Sequence, residues 1–77
     1  MTPERMREEI AERLYAHRVT MGLTTDELAA KIGTNGGRYR RYERAETQMP
    51  AELFFELRRE TGVDLNWLIG GGKPEES

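Results

Sequence analysis

Apolar residues along this chain fall in short groups spaced three and four apart, with no convincing period-2 alternation. That pattern predicts helices and no sheet. Thr2-Pro3-Glu4 opens the first helix with a capping hydroxyl, a proline at the first helical position and an acid at the positive end of the dipole. Met6, Ile10 and Leu14, continued by His17 and Met21, form its apolar stripe. Glu9 and Arg13 stand i,i+4 in the favourable order, and Gly22 stops the helix. A second helix begins at Thr24, whose hydroxyl caps it and with Glu27 completes a capping box. Leu28, Ala29 and Ile32 share its apolar face, and Gly33 supplies the positive φ at which it ends.

Asn35 caps a third helix, with Tyr39 and Tyr42 on one side and Arg38, Arg40, Arg41 and Arg44 around the rest. A polar loop follows from Ala45 to Met49. Pro50 then opens a fourth helix in which Leu53, Phe54 and Leu57 share a face, and Gly62 closes it. Val63 and Asp64 read as a staple residue and an N-cap for a short fifth helix carrying Leu65, Trp67, Leu68 and Ile69, which Gly70-Gly71-Gly72 stops. The expected organisation is one all-α domain over residues 1–71 and a polar, disordered tail over 72–77. The second and third helices, joined by a tight glycine turn, describe a helix-turn-helix, whose second helix would enter a DNA major groove.

Charge sharpens this picture. The chain carries a net charge of −2, which by itself disfavours a nucleic-acid partner. Residues 36–44, with four arginines and one glutamate, are nevertheless +3, against −1 for residues 1–35 and −4 for residues 45–77. A phosphate backbone meets the local field, and the positive charge is concentrated on the proposed reading helix.

The 77 residues allow one thin core, burying about 60–65% of the unfolded surface, so dimerisation would help. There is no cysteine, hence neither a disulfide nor a thiolate zinc site, which fits a reducing cytoplasm. No apolar run approaches the roughly 20 residues of a membrane span, and the charged start MTPERMREEI lacks a signal-peptide core. We therefore expect a cytoplasmic protein without a membrane partner. No nucleophile–base pair can be drawn from one tail serine (Ser77), one histidine and no cysteine, so we expect no enzyme, no cofactor, no metal and no small-molecule substrate. His17 alone is not a metal site, and Gly70–Gly72 lacks the Lys-Ser/Thr of a phosphate-binding loop.

Four blocks carry a resemblance: Arg18, GLTTDELAAKIG (Gly22–Gly33), YRRYER (Tyr39–Arg44) and GVDLNWLIGG (Gly62–Gly71). In that order they resemble the lambda-repressor/Cro-like helix-turn-helix domains, also called the xenobiotic-response-element family, over roughly residues 10 to 71. The resemblance implies a compact five-helix fold and a double-stranded DNA partner. It implies a structural ion pair between Arg18 and Glu43, and core places for Tyr39, Tyr42 and Trp67. It assigns a phosphate contact to Thr25, where the family usually has glutamine. Base reading falls to the first turn of the third helix, Gly36, Gly37 and Arg38, and to Arg41 one turn later.

Departures from the family bear on that assignment. Gly36 and Gly37 offer only backbone where side chains normally read bases, although Asn35-Gly36-Gly37 lets the backbone come close to DNA. Gln48 and Met49 stand at loop places where basic phosphate contacts are common. Arg38 and Arg41, at i,i+3, are expected to share the groove face and compensate through guanine contacts, with Arg40 and Arg44 flanking them on phosphate. The first functional reading is a sequence-specific transcriptional regulator of the phage or prophage repressor type. It would bind a palindromic operator as a homodimer through the fourth and fifth helices, its reading helices about 34 Å apart. The second is an interaction module, an adaptor or antitoxin-like subunit that keeps the fold with weak or no specific DNA binding. On that reading the arginines are a solvated face.

Overall fold

The architecture was taken from a computed structural model, which describes residues 2–70. Five helices occur among the described residues: α1 (Pro3–Met21), α2 (Thr25–Ile32), α3 (Gly36–Glu43), α4 (Ala51–Thr61) and α5 (Leu65–Gly70). The tail expected over 72–77, and the stop residues Gly71 and Gly72, lie outside the described residues. Helix starts follow local chemistry. Thr2 Oγ1 accepts from the Arg5 amide. At α2, the Glu27 amide donates to Thr24 Oγ1 at 3.1 Å while the Thr24 amide donates to Glu27 Oε1 at 2.9 Å. Asn35 Oδ1 accepts from the Arg38 amide at 2.8 Å. Each such cap stabilises its helix by about 1 kcal/mol. Pro50 precedes α4 as a cap without a side-chain bond, one place earlier than a first helical residue.

The first three helices end in a common way. After α1, α2 and α3 a residue in the left-handed region turns the chain, and two amides bond back to the final carbonyls. Gly22 and Gly33 fill that place in the first two. In α3 it is Ala45, at φ 61, with Glu46 N–H donating to the Arg41 carbonyl at 2.9 Å. A side chain in this conformation is strained. The Ala45 carbonyl is held in turn by Arg7 Nε of α1 at 2.9 Å.

One core forms where the helices converge. Ile10, Leu14, Leu28, Ala29, Ile32, Tyr39, Tyr42, Met49, Leu57, Val63 and Leu68 are buried in it, and Leu23, Leu53, Phe54, Leu65 and Trp67 pack around its edge. α3 lies against α2 and α1, α4 against α2, and α5 against α1. Several expected core places differ. Met6 and Met21 are exposed and Ala11 is buried, because the ends of the 19-residue α1 run past the core and its middle alone is covered. Trp67 is only partly buried, while its neighbour Leu68 is fully enclosed. Met49 is enclosed too, so the loop after α3 is anchored by an apolar side chain.

His17 joins α1 to α4. Thr61 commits its one hydroxyl proton to the Leu57 carbonyl at 2.7 Å, so His17 Nε2 is the donor in its 2.9 Å contact with Thr61 Oγ1. Burial lowers the histidine pKa from its ordinary value of 6.5. The folded chain then binds fewer protons than the unfolded chain just below that pH, so this contribution to stability is complete above about pH 6.5 and lost as pH falls below it. Urea unfolding at pH 7.5, 6.5 and 5.5 should find that wild type loses stability on acidification faster than His17→Gln. The difference should not exceed about 1.4 kcal/mol per pH unit.

Candidate nucleic-acid interface

The orientation of α3 is set by what it buries. Tyr39 and Tyr42 enter the core edge to face, with ring centroids 6.2 Å apart and planes at 85°. Glu43 stands one turn after Tyr39 and meets Arg18 of α1 through two bonds, Nε–Oε2 at 2.7 Å and Nη2–Oε1 at 3.1 Å. Arg18 Nη1 also donates to the Leu23 carbonyl at 2.9 Å, and its guanidinium lies 5.4 Å from the centre of the Tyr15 ring. The two side chains are only 15% and 10% exposed. The hydrogen bond to Glu43 holds the Arg18 pKa even above its ordinary range, against the opposing effect of burial. The Tyr39 hydroxyl beside them is buried without a hydrogen-bond partner among the described residues, and burial first, then Glu43, pushes its ionisation upward.

With that side of α3 committed, its arginines face outward. Arg38, Arg40, Arg41 and Arg44 are all exposed. At about 100° per residue, Gly37, Arg41 and Arg44 stand opposite the tyrosines, with Arg38 and Arg40 at the two edges. Arg38 and Arg41 lie about 60° apart around the axis, and Arg44 is nearer the middle of the outer face than Arg38. Among the described residues, Arg38 and Arg41 have no side-chain hydrogen bond or ion pair. Arg44 has one long contact, 3.9 Å to Glu46.

Arg40 does not simply flank this face. It reaches back to the start of α2, where Nη1 donates to Thr25 Oγ1 at 3.1 Å and to Asp26 Oδ1 at 3.3 Å. Of the residues expected at the site, Thr25, Asn35, Gly36, Gly37 and Arg40 thus gather where the N-termini of α2 and α3 approach one another. Gly36 matters sterically, because a Cβ there would collide with the Asp26 carboxylate and lie 3.2 Å from Arg40 Nη1. Gly37 is less restricted, with Asn35 Oδ1 at 3.4 Å from such a Cβ. Met49, being core, presents no surface at the loop place where a phosphate contact was considered, whereas Gln48 is exposed. Asp26 escaped the sequence reading. Nothing in the sequence singles it out, and only the closeness of α2 and α3 pairs it with an arginine fourteen residues away.

Residues 14–68 match a family model described as Helix-turn-helix. The match spans more than half of the chain, which belongs to this lambda-repressor-like helix-turn-helix family. Its general function is accordingly DNA binding of the transcription-regulator type. No described helix is long and apolar enough to cross a membrane.

The Arg18–Glu43 pair should be worth far more than its surface counterparts. Glu43→Gln leaves a nearly enclosed guanidinium uncompensated and should lower unfolding free energy by about 2–4 kcal/mol. Glu56→Gln, which breaks the 2.9 Å contact to the 73% exposed Arg59, should change it by less than about 1 kcal/mol. Denaturant unfolding of both variants at neutral pH makes the comparison.

Proposed function

We propose that this chain is a sequence-specific, double-stranded-DNA-binding transcriptional regulator of the phage or prophage repressor type. It acts in the cytoplasm as a homodimer on a palindromic operator. The observation that carries this reading is α3, where three exposed arginines, with a fourth at its C-cap, stand on a helix clamped from behind, in a chain whose net charge is −2. An acidic protein that concentrates its cations on one rigid helix directs its field at one place. Arg41 and Arg38 are assigned to base edges, Arg44 to phosphate, and Thr25 with the backbone of Asn35, Gly36 and Gly37 to close approach at the duplex edge.

Dimerisation is assigned to α4 and α5. There Ala51, Phe54, Phe55, Leu65 and Ile69 line an apolar groove of about 180 Å³, and Phe55 is 67% exposed. Gly36 and Gly37 favour a second reading, an adaptor or antitoxin-like interaction module, because they remove two side chains from the usual reading turn.

Selection from a random duplex library, followed by binding titrations at several salt concentrations, separates the two. The regulator reading expects an inverted repeat with half-sites about one helical turn apart. Arg41→Ala or Arg38→Ala should then cost about 1–3 kcal/mol at that site and relax one position. Arg44→Ala should weaken all duplexes alike and reduce the salt slope by about one. No enriched sequence, together with arginine substitutions that leave DNA binding unchanged, would establish the interaction module instead.

A further inference from the structure

The region around Gly36 is built in a way that the general reading of the motif does not explain. A long side chain on a helix leans toward the N-terminus and covers the turn before its own Cα. Arg40, four residues after Gly36, does this, and its guanidinium comes to rest above the glycine. Two groups from α2 hold it there, the Thr25 hydroxyl and the Asp26 carboxylate. A Cβ at residue 36 would collide with that carboxylate where it now lies, so the contact uses space that the missing side chain leaves open. Asp26 is 77% exposed and Arg40 45%, so the pair stands at the surface beside the first turn of α3.

We infer that Arg40 supplies the base-reading side chain of the first turn of α3, replacing the side chains missing at Gly36 and Gly37, with Asp26 as its positioning residue. Its target is the major-groove edge of a guanine. The guanidinium is a planar fork with five donors. Nη1 is used by Thr25 and Asp26, and among the described residues Nη2 and Nε make no other hydrogen bond. Two N–H groups in one plane match the O6 and N7 acceptors of guanine. An arginine already held in its reading orientation loses less side-chain freedom on binding than a mobile one. The Asp26 carboxylate also repels phosphate. It thereby lowers affinity for DNA of any sequence while sharpening the preference for the site where Arg40 finds its guanine. Arg40 is thus taken from the role of phosphate flank that its linear position gave it.

This inference rests on the DNA-reading function proposed above, and its test keeps the two apart. The selected duplex and a scrambled duplex are titrated with wild type, Arg40→Ala, Arg40→Lys and Asp26→Asn, and each half-site guanine is replaced in turn by 7-deazaguanine, which lacks the N7 acceptor. Arg40→Ala and Arg40→Lys should lose about tenfold to a hundredfold at the selected duplex and much less at the scrambled one. One 7-deazaguanine position should weaken wild type yet leave Arg40→Ala unaffected, which is the coupling expected of a direct contact. Asp26→Asn should bind the scrambled duplex more tightly and discriminate less. If Arg40→Ala weakens both duplexes equally and stays sensitive at every guanine, Arg40 is a phosphate contact and the inference is wrong. If Asp26→Asn raises affinity for both duplexes by the same factor, Asp26 has no positioning role. Selection by wild type that survives in Arg40→Ala overturns this assignment alone, whereas absence of any selection by wild type removes the function and the assignment together.

Discussion

The bidentate bond between Arg18 and Glu43 is the constraint on which the rest of the proposed reading surface depends. An eight-residue helix such as α3 has little stability of its own. It is fixed at three points along one side, by Tyr39 and Tyr42 in the core and by Glu43 against α1. A fork-to-carboxylate contact specifies direction as well as distance. The rotation of α3 about its axis is thereby set, and with it which arginines leave the protein. Arg7 holds the Ala45 carbonyl just past the end of the same helix. α1 therefore serves as the brace from which α3 is presented.

Most of the helix boundaries could be read from the chain because their causes are local. Thr2, Thr24 and Asn35 cap through bonds to amides three residues away, and Gly22, Gly33 and Gly62 occupy the left-handed places that glycine adopts without strain. Ala45 takes the same conformation without the same signal, so the turn after α3 read only as a polar loop. Periodicity likewise gives the face of a helix and not how much of its length is covered. Met6 and Met21 fit the stripe of α1 but lie beyond its packed middle, while Ala11, outside that stripe, is enclosed.

The site was partly legible for the same reason. The resemblance to a known fold placed Arg18 opposite Glu43 across 25 residues and the two tyrosines in the core. It did not disclose that Arg40 turns back to Thr25 and Asp26. That contact depends on the distance between two helix N-termini, and its carboxylate lies in space that a Cβ at Gly36 would enter. A glycine that looked like a loss of reading capacity is also the space in which an acid and an arginine meet. Local positive charge on α3 and the Asp26 carboxylate at its edge are the features from which a selective surface for duplex DNA is proposed.

The central claim is that α3 and the start of α2 form the surface that meets DNA. Amide chemical shifts followed by NMR during titration with a short duplex test it most directly. The account predicts that the largest changes fall on residues 24–27 and 35–44, in a manner that weakens as salt is raised, with α4 moving far less. Changes confined to α4 and α5, with residues 35–44 undisturbed at low salt, would contradict it.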